Sequence, residues 1–160
     1  MAKRSPSSQN LGPKGVGYRI KVLSQLLYRL LQHKLQPYDL TPFHWLVLNC
    51  LWSDDGLAVS EIADKLQQVG GTMTGVIDRM EERDLVYRER DVEDRRVWRI
   101  WLTTRGKNLS KTLPPAVTKE RDQFYAGVSP QDQKIFMAVL DQLTENATNL
   151  MEQFESGAKK

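Results

Sequence analysis

Apolar residues recur at helical spacing in the first long stretch of the chain. Between Gly17 and Gln36 they return every three or four positions and form one broad face: Ile20, Leu23, Leu27 and Leu30, with Val22, Leu26 and Leu31 beside them. This pattern predicts an amphipathic helix of roughly 30 Å, because an α-helix rises about 1.5 Å per residue. Pro37 is expected to end the helix, since proline donates no backbone hydrogen bond.

The last long stretch carries a narrower apolar seam. Ser129 followed by Pro130 is typical of a helix start. Beyond it, apolar residues follow at alternating spacings of four and three: Phe136, Leu140, Leu143, Ala147, Leu150 and Phe154. That spacing is typical of helices that pack against partner helices. We therefore expect the two end helices to form a bundle of two chains; a single chain that buries the seam within itself is the alternative.

Three shorter helical patterns lie between these stretches. Thr41 followed by proline predicts the start of a nearly all-apolar helix, which ends before a loop at 53–56. Residues 59–66 then predict a short helix, the glycines at 70–71 a turn, and residues 72–83 a second helix. The inner face of that second helix is expected to consist of Met73, Ile77 and Met80.

A charged hairpin is predicted after the helix pair. Residues 86–90 and 97–102 are rich in β-forming residues, and the second run alternates with a period of two. The charged segment 91–96 between them is the expected tip. Helix, turn, helix and hairpin in this order are typical of a winged helix-turn-helix lobe. A further helix opens near residue 103, and the prolines at 114–115 are expected to break or kink it.

The positive charge of the chain is concentrated on this hairpin. The 160 residues carry 23 basic and 20 acidic side chains, a net charge of +3 that by itself does not indicate nucleic acid. Between Arg88 and Lys107, however, seven basic residues face four acidic ones, so this segment holds the whole surplus. The pattern favours a DNA-facing edge; a solvated turn that neutralises itself is the alternative.

The second helix of the pair is the candidate recognition helix. Its outward positions are Thr72, Thr74, Gly75, Asp78 and Arg79. Small residues near its beginning would let the backbone approach a groove, while threonine and arginine can bond phosphates or base edges. In the alternative interpretation Thr72 is only a helix cap, and Arg79 pairs with Glu82 on the surface.

The hairpin tip offers a second set of candidate contacts. Arg95 and Arg96 lie where an arginine can enter a narrow minor groove, whose negative potential favours it. Asp94 beside them would repel phosphate. Its expected role is to hold an arginine side chain in a fixed direction through a bidentate pair.

These segments resemble a known family. Residues 94–106 (Asp-Arg-Arg-Val-Trp-Arg-Ile-Trp-Leu-Thr-Thr-Arg-Gly) are similar to the wing signature of MarR-type winged helix-turn-helix regulators, an Asp-x-Arg tip followed by a strand that ends in Leu-Thr-x-x-Gly. Residues 78–86 resemble the exit of the family's recognition helix, and residues 40–48 resemble its second helix. The resemblance extends over about residues 16–155.

The resemblance implies a homodimer whose terminal helices interlock and whose two winged lobes bind a pseudo-palindromic double-stranded DNA operator. It assigns DNA-binding roles to seven positions of the candidate set: Gly71, Thr72, Thr74, Gly75 and Arg79 on the recognition helix, and the pair of Asp94 and Arg96 on the wing, which Arg95 at the tip completes as a candidate. Two residues depart from the family pattern. Asp84 stands where glycine is usual and is expected to adopt a left-handed backbone conformation, whereas Gly71 replaces a common hydroxyl residue and removes one expected phosphate contact.

The expected fold class is mainly α with a small β wing, a winged helix-turn-helix flanked by N- and C-terminal dimerisation helices. The expected boundaries are a mobile basic tail at 1–15, a MarR-type domain at 16–155 with its DNA-binding lobe at about 40–103 and its dimerisation helices at about 16–37 and 104–155, and a tail at 156–160.

A small effector ligand is a further implication of the resemblance. Such regulators commonly release DNA when a phenolic or lipophilic molecule binds between the dimer helices and the winged lobe. Aromatic residues that are expected to meet there are Tyr28, His44, Trp45 and Trp52. Ordinary core packing is the alternative for these side chains. Cys50 lies in the most apolar helix and is expected to fill the core rather than to sense oxidants.

Other classes of function find little support in the sequence. It has no phosphate-binding glycine loop, no cluster of metal ligands and no nucleophile with a base at recognisable spacing, so no enzyme, cofactor or metal is expected. No apolar run predicts a membrane span or a secretory signal, and we expect a cytoplasmic protein. We expect a repressor, although the position of the operator decides between repression and activation. A winged helix that binds proteins instead of DNA is the remaining alternative.

Overall fold

The computed structural model describes residues 15–67, 70–119 and 121–157. Within these ranges the chain forms seven α-helices and three strands: α1 (Val16–Leu35), α2 (Pro42–Ser53), β1 (Leu57–Ala58), α3 (Val59–Lys65), α4 (Gly70–Glu82), β2 (Val86–Arg90), β3 (Trp98–Leu102), α5 (Thr104–Thr118), α6 (Arg121–Phe124) and α7 (Pro130–Gly157). The tail expected at 1–15 lies, apart from Gly15, outside the described residues. None of the described helices is long and apolar enough to cross a membrane.

The chain divides into two compact units, one that ends at Val117 and one that begins at Thr118. The core of the first unit consists of fully buried apolar side chains: Leu35, Val47, Leu48, Leu51, Ile62, Met73, Ile77, Met80, Leu85, Ile100 and Leu113. The predicted inner face of α4 is therefore confirmed. Because each buried aliphatic side chain stabilises a fold by about 1.5–3 kcal/mol, this cluster fixes which side of α4 remains outside.

The start of α2 is fixed by two reciprocal hydrogen bonds. The backbone N–H of His44 donates to the hydroxyl oxygen of Thr41 at 3.2 Å, and the N–H of Thr41 donates to Nδ1 of His44 at 3.3 Å. Pro42 occupies the first helical position. The predicted start at Thr41 is confirmed, with histidine in the place that glutamate or glutamine usually takes in such a cap.

The three strands form one antiparallel sheet in the order β1-β3-β2. Strand β2 pairs with β3 so that Val86 lies opposite Leu102 and Arg90 lies opposite Trp98. This is the hairpin that the sequence predicts. Strand β1, in which Leu57 lies opposite Ile100, was not predicted, because two residues are too few to show a period of two.

Helix α4 differs from the prediction at its beginning and agrees with it at its end. The predicted turn at 70–71 is wrong, since the helix already begins at Gly70, and Thr72 consequently lies within it rather than capping it. At the end, Asp84 adopts the expected left-handed conformation with φ of 54°. The N–H of Asp84 donates to the carbonyl of Glu81 and the N–H of Leu85 to that of Met80, both at 2.9 Å, which closes the helix in a Schellman motif.

The entry into α5 is built on Thr103. Its hydroxyl donates to the carbonyl of Asp84 at 2.6 Å and accepts the N–H of Gly106 at 3.1 Å, and its own N–H donates to the carbonyl of Leu85 at 3.1 Å. One threonine thus caps α5 and ties it to the segment after α4. This gives a physical reason for threonine at this position of the wing signature.

Of the two outcomes predicted for the prolines of α5, a break or a kink, the break does not occur. The helix runs through Pro114 and Pro115 to Thr118, although neither residue can donate to the carbonyl one turn earlier. A proline inside a helix costs about 3 kcal/mol. Here Leu113, directly before the pair, is fully buried in the core, and such burial offsets part of that cost.

In the second unit, α7 begins as predicted at Ser129. The hydroxyl of Ser129 accepts the N–H of Asp132 at 3.1 Å and donates to its carboxylate at 2.7 Å. Along α7 the predicted apolar seam lies on the surface of the chain, and Leu143, Leu150 and Phe154 are 45, 53 and 71% exposed.

Candidate nucleic-acid interface

The outward face of α4 carries small side chains and one unpaired cation. Thr72 and Thr74 are exposed. Gly75 is half-buried, and a Cβ added there would meet no atom within 4 Å. Arg79 is exposed and forms no ion pair with any residue of the described ranges, so the predicted alternative, a pair with Glu82, is absent. Gly71 lies in the first turn of the helix.

The wing tip carries an arginine held in a fixed direction. Nε and Nη2 of Arg96 each donate to one oxygen of Asp94 at 3.0 Å, and the backbone N–H of Arg96 donates to the same carboxylate at 3.0 Å. The Arg96 side chain is nevertheless 92% exposed. The hydrogen bonds hold the pKa of Asp94 below its ordinary value, so the carboxylate stays ionised and keeps the guanidinium extended into solvent.

Asp91 holds the loop that presents this pair. Its carboxylate accepts the backbone N–H groups of Glu93 and Asp94 at 2.8 and 3.0 Å and also a hydrogen bond from Nε of Arg99. The bond from Asp94 contributes most to lowering the pKa of Asp91 to about 2, followed by the bond from Arg99. Arg99 in turn donates to the carbonyl of Gly56 at 3.0 Å. The wing tip is thereby connected to β1 and the loop before it.

Arg90 supports the other side of the tip. Its guanidinium lies 3.7 Å from the centre of the Trp98 ring, and Nη1 donates to the carbonyl of Arg95 at 2.7 Å. A stacked guanidinium of this kind is attracted by the face of the aromatic ring. The backbone of Arg95 is thus held while its side chain stays exposed, with no ion pair to any described residue.

Sequence reasoning counted Asp91, Arg90 and Arg99 only as charges and missed their structural role. One local signal was available, because an aspartate at the first position of a loop commonly accepts backbone N–H groups two and three residues further on. The partners of Arg90 and Arg99 depend on the register of the strands, which cannot be predicted from the sequence alone here.

The four residues predicted for an effector pocket have diverse surroundings. Tyr28 is 49% exposed on α1, whereas His44 is buried in the helix cap. Trp45 and Trp52 pack edge to face with ring centres 5.7 Å apart, and Nε1 of Trp52 donates to the carbonyl of Gly106 at 3.0 Å. None of the four lines either of two surface cavities of about 500 and 470 Å³ in the first unit. The effector pocket stays a prediction.

Cys50 is half-buried in α2, and burial raises the pKa of its thiol above the ordinary value. A thiol with a raised pKa carries little of the reactive thiolate at neutral pH.

Known proteins are similar to this chain in the sequence of the lobe and in the fold. Residues 40–98 match the model of the MarR family. A MarR transcriptional regulator from Methanosarcina mazei Go1 is 23% identical with a TM-score of 0.76, over 84% of this chain and 97% of that one. The MepR–DNA complex from S. aureus is 25% identical with a TM-score of 0.76, over 82% and 97%. The transcriptional repressor CouR, bound to a 23-mer DNA duplex, is 25% identical with a TM-score of 0.75, over 81% and 92%. The predicted winged fold is confirmed.

Proposed function

We propose that this chain, which belongs to the MarR family through its residues 40–98, binds double-stranded DNA in a sequence-specific manner as a homodimer and represses transcription. The observation that carries the proposal is the combination of two exposed elements in one lobe. Helix α4 presents Thr72, Thr74, Gly75 and an unpaired Arg79, and the wing presents Arg96 on a carboxylate that fixes its direction.

Each element fits a different part of a DNA duplex. A helix with small residues along its outer face can lie deep in a major groove, where threonine and arginine reach base edges. An extended arginine at a wing tip fits a narrow minor groove, which attracts cations. Gly71, in the first turn of α4, lies where a helix N-terminus offers backbone N–H groups to a phosphate. Two similar structures, MepR and CouR, contain DNA, which supports this assignment.

Two copies of the chain are expected to act together on a pseudo-palindromic operator. The support is the apolar seam of α7, whose side chains apart from the half-buried Leu140 lie exposed on a single chain, and the exposed apolar residues of α1, such as Leu26 and Leu30. Large apolar side chains that lie exposed along one helix face are typical of an interaction surface. In the proposal, residues about 16–37 and 104–155 are the dimerisation helices and residues about 40–103 the DNA-binding lobe. Release by a small phenolic or lipophilic ligand remains part of the proposal.

Replacing Arg96 by alanine should weaken DNA binding in a salt-dependent way. One lost base or phosphate contact is worth about 1–3 kcal/mol, so affinity for a duplex selected from a random pool should fall by roughly tenfold or more per wing. Titration by fluorescence anisotropy at several salt concentrations measures this, because each lost phosphate contact reduces the slope of log affinity against log salt by about one. Sedimentation of the same samples counts the chains per duplex, for which we expect two.

Lys111→Ala is the control for the Arg96 experiment, since Lys111 is an exposed cation on α5 that is not among the candidate contacts. An equal loss of affinity in both variants would mean that Arg96 acts only through its general positive charge and not through a specific contact. A wild-type protein that binds no selected duplex in a salt-sensitive way would contradict the proposed function and favour a protein-binding adaptor.

Replacing Gly75 by alanine should separate folding from DNA binding. Alanine in a helix interior is about 0.5–1 kcal/mol more favourable than glycine, and the added Cβ meets no atom of the protein, so the free energy of unfolding should rise. If α4 approaches a groove at Gly75, the same methyl group should reduce affinity for the selected duplex by about tenfold, or 1.4 kcal/mol. Thermal unfolding and anisotropy measure the two effects. Unchanged affinity would show that DNA does not approach this residue closely.

A further inference from the structure

Arg88 connects the wing to the candidate recognition helix. Its side chain, on β2 and 22% exposed, donates from Nη2 to Asp78 at 2.6 Å and from Nη1 to Glu81 at 3.0 Å. Nη2 also lies 3.4 Å from the carbonyl of Thr74, and the backbone N–H of Arg88 donates to the second oxygen of Glu81 at 3.0 Å. We call this set of four bonds the α4 clamp.

The three partners of the clamp lie along one line on the helix. Thr74, Asp78 and Glu81 are separated by four and three residues, which places them on the same face. Bonds at three successive levels resist rotation of α4 about its axis. A rotation of about 20° would move a side-chain end, roughly 5 Å from the axis, by about 2 Å. Such a shift exceeds the range over which a hydrogen bond to a base edge holds.

The clamp also offsets the negative charge of two acids that lie beside the proposed DNA-facing surface. The side chains of Asp78 and Glu81 are 49 and 32% exposed, and without a partner both would repel phosphate. Both Nη atoms of Arg88 already donate to α4. The guanidinium is therefore committed to the helix and is not extended toward a ligand as that of Arg96 is.

We infer that Arg88 is a positioning residue, which sets the rotation of α4 through Asp78 and Glu81 and so determines sequence preference without itself contacting DNA. The inference rests on the proposed DNA binding. It assigns a specificity-determining role to three residues outside the candidate contact set. It also gives this pairing of β2 with α4 a function beyond stabilising the fold.

The decisive variant is the double substitution Asp78→Asn with Glu81→Gln, since it keeps side-chain size, breaks the ion pairs and removes two negative charges. We expect it to bind a scrambled duplex more tightly than wild type, because less negative charge faces the phosphates. We expect the ratio of affinities for the selected and scrambled duplexes to fall by about tenfold, or 1.4 kcal/mol. If charge alone mattered, both affinities would rise together and the ratio would stay constant.

Arg88→Met breaks the same clamp from the other side, and Lys111→Met is its charge-matched control. In Arg88→Met the ratio should fall as far as in the double variant, and the triple variant should lose no more, because one clamp is broken in each case. Arg88→Lys keeps the positive charge but lacks the forked donors of the guanidinium, and it should recover the ratio of affinities only partly. Thermal unfolding of every variant identifies any that does not fold. If Arg88→Met does not fold, the affinity ratio of the double variant decides the question.

Three outcomes overturn the inference. A ratio in the double variant within twofold of the wild type would show that the clamp does not set specificity. Equal weakening of both duplexes by Arg88→Met, with a salt slope lower by about one, would make Arg88 a direct phosphate contact. If the wild type shows no salt-sensitive binding, the proposed function is contradicted and this inference fails with it. The other two outcomes differ from this one because in both of them the wild type binds DNA.

Discussion

Replacing Gly106 by alanine should lower the free energy of unfolding by about 2–4 kcal/mol. A Cβ at this position would overlap the carbonyl oxygen of Leu85 and would lie 3.1 Å from Cδ2 of Leu102. The first contact is with backbone, so a side-chain rotation cannot relieve it. The Leu85 carbonyl also accepts the N–H of Thr103, so moving it would strain the cap of α5. The better helix propensity of alanine, about 1 kcal/mol, offsets only part of this cost.

Chemical denaturation of the variant measures the loss, and Gly17→Ala is the matched control. Gly17 is also a helical glycine, but a Cβ there would meet no atom within 4 Å, so its replacement should leave stability equal or raise it by up to about 1 kcal/mol. A Gly106→Ala protein as stable as wild type would mean that α5 does not approach the Leu85 backbone this closely. Because stabilities of small domains are about 5–15 kcal/mol, the expected loss is a large share of the total.

Gly106 also shows what the sequence could and could not reveal about this fold. A glycine three residues after a helix-capping threonine is visible in the sequence, and the resemblance to a wing signature marks both positions. Its partner, the Leu85 carbonyl, is 21 residues away and becomes evident only in three dimensions. Local features such as the Thr41 cap, the inner face of α4 and the left-handed Asp84 were predictable, because each depends on neighbours within one or two turns.

The parts that sequence reasoning missed depend on long-range pairing or on competition between local preferences. Strand β1 exists because Leu57 pairs with Ile100, which no local pattern of two residues can indicate. The prolines of α5 oppose a helix locally, yet the helix passes through them where Leu113 enters the core. In the candidate interface, Asp94 and Arg96 were predictable as near neighbours. The clamp of Arg88 was not, since it joins a strand to a helix 7 to 14 residues earlier.

Lowering the pH from 7 to 4 should destabilise the protein by about 3 kcal/mol through His44 alone. Burial is the largest cause that lowers the pKa of His44 from 6.5 to about 4, and the positive charges of Arg83 and Arg79 add to it, while Asp39 acts in the opposite direction. The folded state therefore holds this imidazole neutral where the unfolded chain protonates it. The contribution of His44 to the free energy of unfolding is fully present above pH 6.5, falls as the pH drops below that value, and levels off below about pH 4.

His44→Gln isolates this effect from the titration of carboxylates. Glutamine at this position can accept the N–H of Thr41 as the imidazole does, so the cap of α2 should persist and stability at pH 7 should change by less than about 1 kcal/mol. The variant has no group that titrates there, and its stability should fall less steeply between pH 6.5 and 4. His33→Gln, at an exposed position on α1, is the matched control substitution. Parallel profiles for wild type and His44→Gln would contradict the buried neutral imidazole. A difference that saturates near pH 4 would confirm it, because only a group with a lowered pKa in the folded state produces a loss of that sign in that window.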